Sequence, residues 1–399
     1  MLEAAKAAGV PYAGSLIALE RGQFETIERT VAALHRVAHG EAWQRAVDDE
    51  LRAGAPADAA AVALHRPANF AVFMGYDFHL TPAGPRLIEV NTNAGGALLN
   101  GLHTASLCDP VRLTCLCSHL MPVETMQARI VETFRAEQRA ARGDAPLGFV
   151  AIADDRPGEQ FLRGEFELFV RLFAQAGVDA RICDVRELER VAGGLALGGR
   201  RVDLVYLRDT DWRLEDARSR ALRDAYLADE VVVTPSPREH HLLANKRRLL
   251  RFSSPEALAA AGAGADERAL LAAVVPETHA LADLGAERAW STRREWVFKP
   301  AAAYASRAVY RGDKISRKKL DEIAAQGDFV VQRRVEPGEI AVATSEGPRA
   351  MKFDVRAYAY RDEVLLLGAR VYQGQVTNLR TPGGGFSAIC VVRDLPACA

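Results

Sequence analysis

Six cysteines in 399 residues are too few and too scattered for a disulfide framework. Cys108, Cys115, Cys117, Cys183, Cys390 and Cys398 therefore read as structural, buried thiols. Cys115-x-Cys117 has no second Cys or His pair at zinc spacing. Excess charge is missing too: 51 Lys and Arg against 52 Asp and Glu leave a formal net charge of −1. No basic field points to a nucleic-acid partner, and no acidic tail points to a solvating one. No apolar run reaches membrane-spanning length, so no membrane partner is expected. Met1 to Lys6 lack the basic start, apolar middle and cleavage site of a secretion signal, so a cytoplasmic protein is expected. Internal repeats and long low-complexity tracts are absent, which excludes repeat architectures.

What remains is ordinary globular composition, 49% hydrophobic and 26% charged, in a chain long enough for two or three domains. Three stretches differ in pattern. Residues 1–146 begin with helical tendency over 14–66, where Phe24, Ile27, Val31, Leu34 and Val37 recur at helical spacing. Gly54-Ala-Pro-Ala57 breaks that pattern. Strands follow over 68–99, a helix over 122–141 and a linker at 142–146. In residues 147–235, strands at 148–153, 178–183, 202–208 and 231–234 alternate with helices at 159–176 and 215–228. A short helix leads to the Gly198-Gly199 turn. That alternation means a small doubly wound α/β unit. Residues 236–399 open with a helix over 238–252, then strands dominate at 295–300, 329–335, 352–358 and 364–372. Arg361 to Glu363 turns between the last two. The fold class is mixed α/β, with an inserted α/β unit.

The chemistry concentrates first at Asp77, Glu89 and Asn91. Residues 85–91 read as a strand, and residues two apart on a strand share a face, so Glu89 and Asn91 point together. Asp77, twelve positions before Glu89, falls on a preceding antiparallel strand. Two carboxylates and an amide carbonyl facing one spot suit Mg²⁺, which takes sparse oxygen ligands completed by water and nucleotide phosphates. A solvated edge strand is the plain alternative for Glu-x-Asn alone.

Lys299 leaves the apolar strand Trp296-Val-Phe298 into a small-residue loop, 301–307, a pattern that suits phosphate: the ammonium supplies charge and the loop backbone approaches closely. Lys246 is either a second phosphate ligand or part of an exposed helix face. Gln332 sits in an apolar strand and, with the backbone of Arg333 and Val335, could hold an adenine edge. Glu339 could accept from ribose hydroxyls. Exposed polar edges explain these residues equally well. Arg356, Arg370 and Arg380 lie on successive strands or their exits, before the turn Asn378 to Gly385. Guanidinium groups beside a Gly-rich turn fit carboxylates and phosphates bidentately.

Taken in order, these segments resemble the ATP-grasp superfamily, in the circularly permuted arrangement of eukaryotic-type glutathione synthetase. The metal strand comes near the start of the chain and the Gly383-Gly-Gly385 turn near its end. Val205-Tyr-Leu-Arg-Asp209 resembles that family's Tyr-Phe-Arg-Asp segment, Lys246 falls where a lysine precedes the nucleotide-covering part, and Leu379-Arg-Thr381 resembles the substrate-covering loop. The similarity spans roughly residues 70 to 390. It implies ATP and Mg²⁺ as cofactors, with Lys246, Lys299, Gln332, Arg333, Val335 and Glu339 at the nucleotide. It implies metal ligation by Asp77, Glu89 and Asn91. Arg370 with Gly384 and Gly385 would stabilise the reacting groups, and Arg208, Arg356, Asn378 and Arg380 would grip substrate. The implied activity is carboxylate–amine ligation through an acyl phosphate, on small amino-acid-like acids and amines. A carboxylate kinase and a non-catalytic nucleotide-binding scaffold are the alternatives. A homodimer is the default assembly. Two departures stand out. Alanines and Tyr304 replace the glycines usual after the lysine, and Glu89-Val-Asn-Thr-Asn-Ala94 lacks serines that hold γ-glutamylcysteine, which argues against glutathione as the product.

Overall fold

The computed structural model describes residues 1–392 other than 2, 4, 6–7, 108–120, 302–307, 345–346, 375–376 and 380. Its largest sheet joins the two ends of the chain. The strand order is Tyr12–Leu19, Gly385–Val391, Glu363–Tyr372, Gly347–Tyr360, Met74–Thr81 and Gly84–Asn91, with Gly338–Thr344 also pairing with Gly347–Tyr360. Tyr12–Leu19 runs parallel to Gly385–Val391, and Met74–Thr81 runs antiparallel to Gly347–Tyr360.

Strand alternation sorts the faces of this sheet. Tyr76, Phe78, Val355, Ala357, Ala369 and Val371 enter one core, which the helix Arg21–His39 covers with Phe24, Ile27, Val31 and Leu34. Each such side chain contributes on the order of 1.5–3 kcal/mol by leaving water. The residues between them, Asp77, Asp354, Arg356 and Arg370, are thereby placed on the opposite face, near Tyr358 and Phe386 of a second core.

Three smaller sheets complete the fold. A parallel sheet runs Val232–Thr234, Leu204–Leu207, Phe149–Asp154, Asp179–Asp184. Its order reverses between Phe149–Asp154 and Leu204–Leu207, the position where open α/β sheets form a crevice. A three-stranded sheet of Leu188–Val191, Gly194–Leu197 and Arg200–Val202 stands where a short helix was expected. Gly193, Gly198 and Gly199 have φ of +68°, +58° and +76°, and these left-handed residues close two tight hairpins. The fourth sheet runs Thr278–Ala280, Phe329–Arg333, Trp296–Pro300, Tyr310–Arg311, and Leu320 and Ile323 of the helix Arg317–Gln326 pack against it.

Other expectations change in detail. Residues 14–19, at the start of the stretch expected to be helical, are extended within Tyr12–Leu19, because the strand from the far end of the chain pairs with them. The helix over 238–252 is broken: Pro237–Glu239 and a π-helical turn, His240–Ala244, end at Asn245, and a new helix spans Arg248–Phe252. Such widened turns occur mostly at functional sites. Cys183 is a buried free thiol whose pKa burial pushes up to about 12. Cys390 is buried and disulfide-bonded, a correction to its reading as a thiol. Cys108, Cys115, Cys117 and Cys398 lie outside the described residues, as does most of the loop after Lys299. Among the described residues, no helix is long and apolar enough to cross a membrane.

Gly385 shows how tightly the two ends are joined. Its φ is +135°, and a Cβ there would stand 2.2 Å from the Pro11 carbonyl oxygen. Gly385→Ala is expected to destabilise the protein by on the order of 2 kcal/mol or more, read as a lower urea midpoint at unchanged m-value.

Candidate active site

The register of the large sheet builds the site. Glu89 pairs opposite Asp77, and Asp77 opposite Arg356, so one row across three strands carries acid, acid and base. Asp354 pairs opposite Arg370 two positions along. Arg356 clamps Asp77 with both ends of its guanidinium, Nε–Oδ1 2.6 Å and Nη2–Oδ2 2.7 Å. Arg370 adds Nη2–Oδ2 at 2.8 Å and gives its Nε to Asp354 Oδ1 at 2.7 Å. Gly75, on the same face as Asp77, makes this possible: a Cβ there would strike Ala94 at 2.5 Å and crowd Arg356.

Burial by itself pushes the Asp77 carboxyl up, but the charges and hydrogen bonds of Arg356 and Arg370 outweigh it and hold it well below the usual carboxylate range. Burial likewise works against the Arg370 cation, and Asp354 and Asp77 overcome it, leaving the guanidinium permanently charged. Asp77 thus serves as the anchor of two arginines, which takes up both of its oxygens. Asn91 Nδ2 donates to Asp77 Oδ2 at 3.0 Å and reaches Glu89 Oε1 at 3.4 Å, which leaves the carbonyl end of the amide as its cation-binding end. Of the three predicted metal ligands, Glu89 and Asn91 are therefore the better placed. Among the described residues, no group of three or more His, Cys, Asp or Glu forms a metal cluster, so a cation here needs oxygens from a ligand.

Two adjoining cavities flank this row, and Glu89, Arg370 and Thr377 belong to both. The first, about 110 Å³, lies between the large sheet and the 296–333 sheet. Lys299, Gln332, Arg333 and Val335 line it as predicted, joined by His79, Asp354 and Glu336. Lys299 is buried and donates to Gln332 Oε1 at 2.7 Å and to the Ile88 carbonyl at 3.0 Å, tying the two sheets together. Burial, opposed by Glu89 and aided by Lys246, lowers its pKa to about 8. Gln332 Nε2 is buried without a partner, an orphaned donor where the sequence calls for an adenine contact. The Val335 carbonyl accepts from His79 Nδ1 at 2.9 Å, and burial lowers the His79 pKa, so the ring is the neutral donor.

The second cavity, about 670 Å³, is lined by Asn91, Lys246, Arg356 and Asn378, with the parallel sheet's loops on its far side. Lys246 lies on the turn after the broken helix rather than on a helix face. Arg208 sits just behind this wall: it is buried, donates to the Tyr206 hydroxyl at 3.0 Å, and has an unpartnered Nε. Its Nη2 would be 2.9 Å from a Cβ on Gly95.

Three predicted residues are placed elsewhere. Glu339 is exposed on the outer strand opposite Lys352, and Glu336 occupies the cavity rim in its stead. Gly384 gives its N–H to the Thr381 carbonyl at 2.8 Å, and Gly385 begins a strand against Val371. Close backbone approach accounts for glycine at both positions. Arg380 lies outside the described residues. Sequence reasoning missed Asp354, His79 and Thr377. Asp354-x-Arg356 carries the same two-residue strand spacing as Glu89-x-Asn91 and could have been found by it. His79 and Thr377 had no comparable signal.

No protein-family model matches the sequence, and no curated protein is similar to it in sequence. Solved structures are similar in fold. A glutathione synthetase-like effector from Globodera pallida, in its apo form, superposes with a TM-score of 0.64, covering 98% of this chain and 95% of that one at 12% identity. A putative gamma-glutamylcysteine synthetase from Methylobacillus flagellatus KT gives 0.49 over 95% of this chain and 89% of that one, also at 12% identity. The ATP-grasp ligase PsnB, complexed with a phosphomimetic variant of its minimal precursor, Mg and ADP, gives 0.32 over 56% and 88%, at 17% identity. Likeness at these identities establishes the fold, and the first of the three carries it.

Removing the Asp77 charge leaves two buried guanidinium groups short of a partner. Asp77→Asn is expected to cost on the order of 3 kcal/mol or more in urea unfolding. The folded-state pKa of Asp77 is depressed, so its contribution is present above about pH 4 and lost as pH falls further. The stability difference between wild type and variant should therefore shrink on acidification below that point.

Proposed function

We propose that this chain, which has the glutathione synthetase-like ATP-grasp fold, is an ATP-dependent ligase that joins a carboxylate to an amine. The observation that carries this reading is the shared wall: Glu89, Arg370 and Thr377 separate a lysine- and glutamine-lined cleft from a larger second cavity. Such a boundary lets a phosphoryl donor and an acceptor meet over one acid and one permanent cation.

The residues present fit a nucleotide. Gln332 brings an orphaned buried donor for a base edge, and Lys299 and Lys246 bring two ammonium groups for phosphate oxygens. Glu89 and the Asn91 carbonyl would hold Mg²⁺, which when bound neutralises phosphate charge. The 110 Å³ cleft is smaller than the roughly 300 Å³ at which small-molecule sites begin, so binding requires the 296–333 sheet to move away from the large sheet. Lys299 is the contact that must exchange, trading Ile88 and Gln332 for phosphate.

Within this reading the acceptor carboxylate takes the terminal phosphoryl group of ATP, giving ADP and an acyl phosphate, and an amine then displaces phosphate to form an amide. Arg370, fixed by Asp354 and Asp77, stabilises charge as it moves onto the transferred group. Arg356 keeps Asp77 ionised so that Arg370 stays aimed. Arg208 steadies the far wall. The enzyme's contribution is position and field, with no covalent nucleophile.

The test is ADP release across a panel of amino acids and amines, with hydroxylamine added to trap an acyl phosphate. Glu89→Ala should abolish Mg·ATP-dependent phosphate release while leaving the circular dichroism spectrum intact. Near-normal turnover would overturn the metal assignment. ATP affinity should weaken as pH rises through about 8, where Lys299 loses its proton, and Lys299→Met should bind at least tenfold more weakly with a flat pH profile above 7. Calorimetry across pH 7 to 9.5 measures both.

A further inference from the structure

The second cavity is polar where it meets the first, and beyond that wall it carries an apolar patch beside the polar Asn91, Lys246, Arg356 and Asn378. The residues common to both cavities, Glu89, Arg370 and Thr377, are all polar or charged. Phe161, Leu162, Trp212, Leu379 and Phe386 line only the second. They come from three separate parts of the chain: the loop before the helix Arg163–Gln175, the loop after the strand Leu204–Leu207, and the C-terminal segment. Phe161, Leu162 and Leu379 are only partly buried, so apolar surface is left for a ligand to cover.

Two further observations show that this wall is built. Gly95 and Gly96 exist for it: a Cβ on Gly95 would stand 2.1 Å from Leu162 Cδ1, and one on Gly96 2.3 Å from Phe386 Cζ. Gly96 also has a φ of +93°. Any side chain at these positions would push the apolar residues out of place. Secondly, the Trp212 indole stacks on the His240 imidazole, with centroids 5.0 Å apart and planes at 9°. His240 Nδ1 meets Thr92 Oγ1 at 3.1 Å, which fixes the ring. Burial, with the neighbouring cations, keeps that ring neutral, so the pair presents a flat, uncharged surface.

We infer that the ligand of the second cavity is a small amino-acid derivative with an aromatic or branched aliphatic group. Its charged, reacting end lies at Glu89, Arg370 and Thr377, and its apolar end lies against Leu162, Phe161 and Trp212. The cavity's 670 Å³ falls within the range that encloses ligands from amino-acid to dipeptide size and above. A ligand with a charged tail, such as a γ-glutamyl group, would lose solvation without compensation wherever that tail lay against this apolar patch. This inference rests on the ligase reading for the orientation of the reacting end, but not for the character of the far wall.

Calorimetry on the full chain without nucleotide tests it, using phenylalanine, leucine, their N-acetyl forms and their dipeptides against glutamate, lysine and γ-glutamylcysteine. The apolar set should bind at least tenfold more tightly than the charged set, the difference expected from burying one apolar side chain. Leu162→Glu should weaken the apolar set by at least tenfold while ATP affinity stays unchanged. Leu379→Asn, on a different segment, should weaken it in the same direction. Tighter binding of the charged set, or apolar affinities that neither variant alters, would overturn the inference. ATP binding measured in parallel separates the two readings. Apolar ligands that bind a protein unable to bind ATP would end the ligase reading alone, and ATP binding without an apolar preference would end this one alone.

Discussion

The clamp of two arginines on Asp77 is the constraint around which the candidate site is arranged. Three oppositely paired strands meet there, one from each side of Asp77 and one beyond Arg356, and each contributes charge to the same face. A buried carboxylate with a single partner would lose more in desolvation than it gained in attraction. With Arg356 on both oxygens and Arg370 and Asn91 on Oδ2, Asp77 accepts four hydrogen bonds, one at Oδ1 and three at Oδ2. Asp354 and Thr377 extend the same network on the side of the first cavity. The cluster of Asp77, Asp354 and Glu89 against Arg356, Arg370 and Lys299 balances three acids with three bases.

The charged groups inside the large sheet and the one above it are anchored differently. Arg356 and Arg370 are held from both ends by strands whose other face is a continuous apolar core. Lys299, by contrast, reaches across from a separate small sheet and holds on through a carbonyl and a glutamine. Phosphate oxygens can replace both contacts. The two kinds of cation are thus distinguished by what anchors them: carboxylates for the arginines of the large sheet, neutral acceptors for Lys299 of the small one.

Much of the site was legible from residue spacing. Glu89 and Asn91 share a face because they are two apart on a strand, and the structure brings them beside Asp77. Lys299 and Gln332 came from a lysine and a glutamine in otherwise apolar strands, and they are hydrogen-bonded to each other. The failures have a physical cause. Glu339 was judged by its nearness in sequence to Gln332, but the chain turns outward after Pro337 and carries Glu339 to the exposed side. The glycines at 384 and 385 were expected to act with Arg370, and the structure shows them in close strand contacts with Val371 and Pro11. A glycine run states that the backbone must approach something, without stating what. Residues 14–19 were read as helix because their partner strand lies more than 360 residues away.

What the sequence by itself determined is local: which residues alternate on strands, which helices are amphipathic, and which polar side chains interrupt apolar runs. These follow from backbone periodicity and need no partner. Tertiary structure decided which polar residues are ion pairs and which face a cavity, because that depends on what stands opposite across a strand register. Asp77 illustrates the division. Its residue type and position pointed to a charged centre, and only the strand pairing showed that Arg356 and Arg370 are the charges it meets.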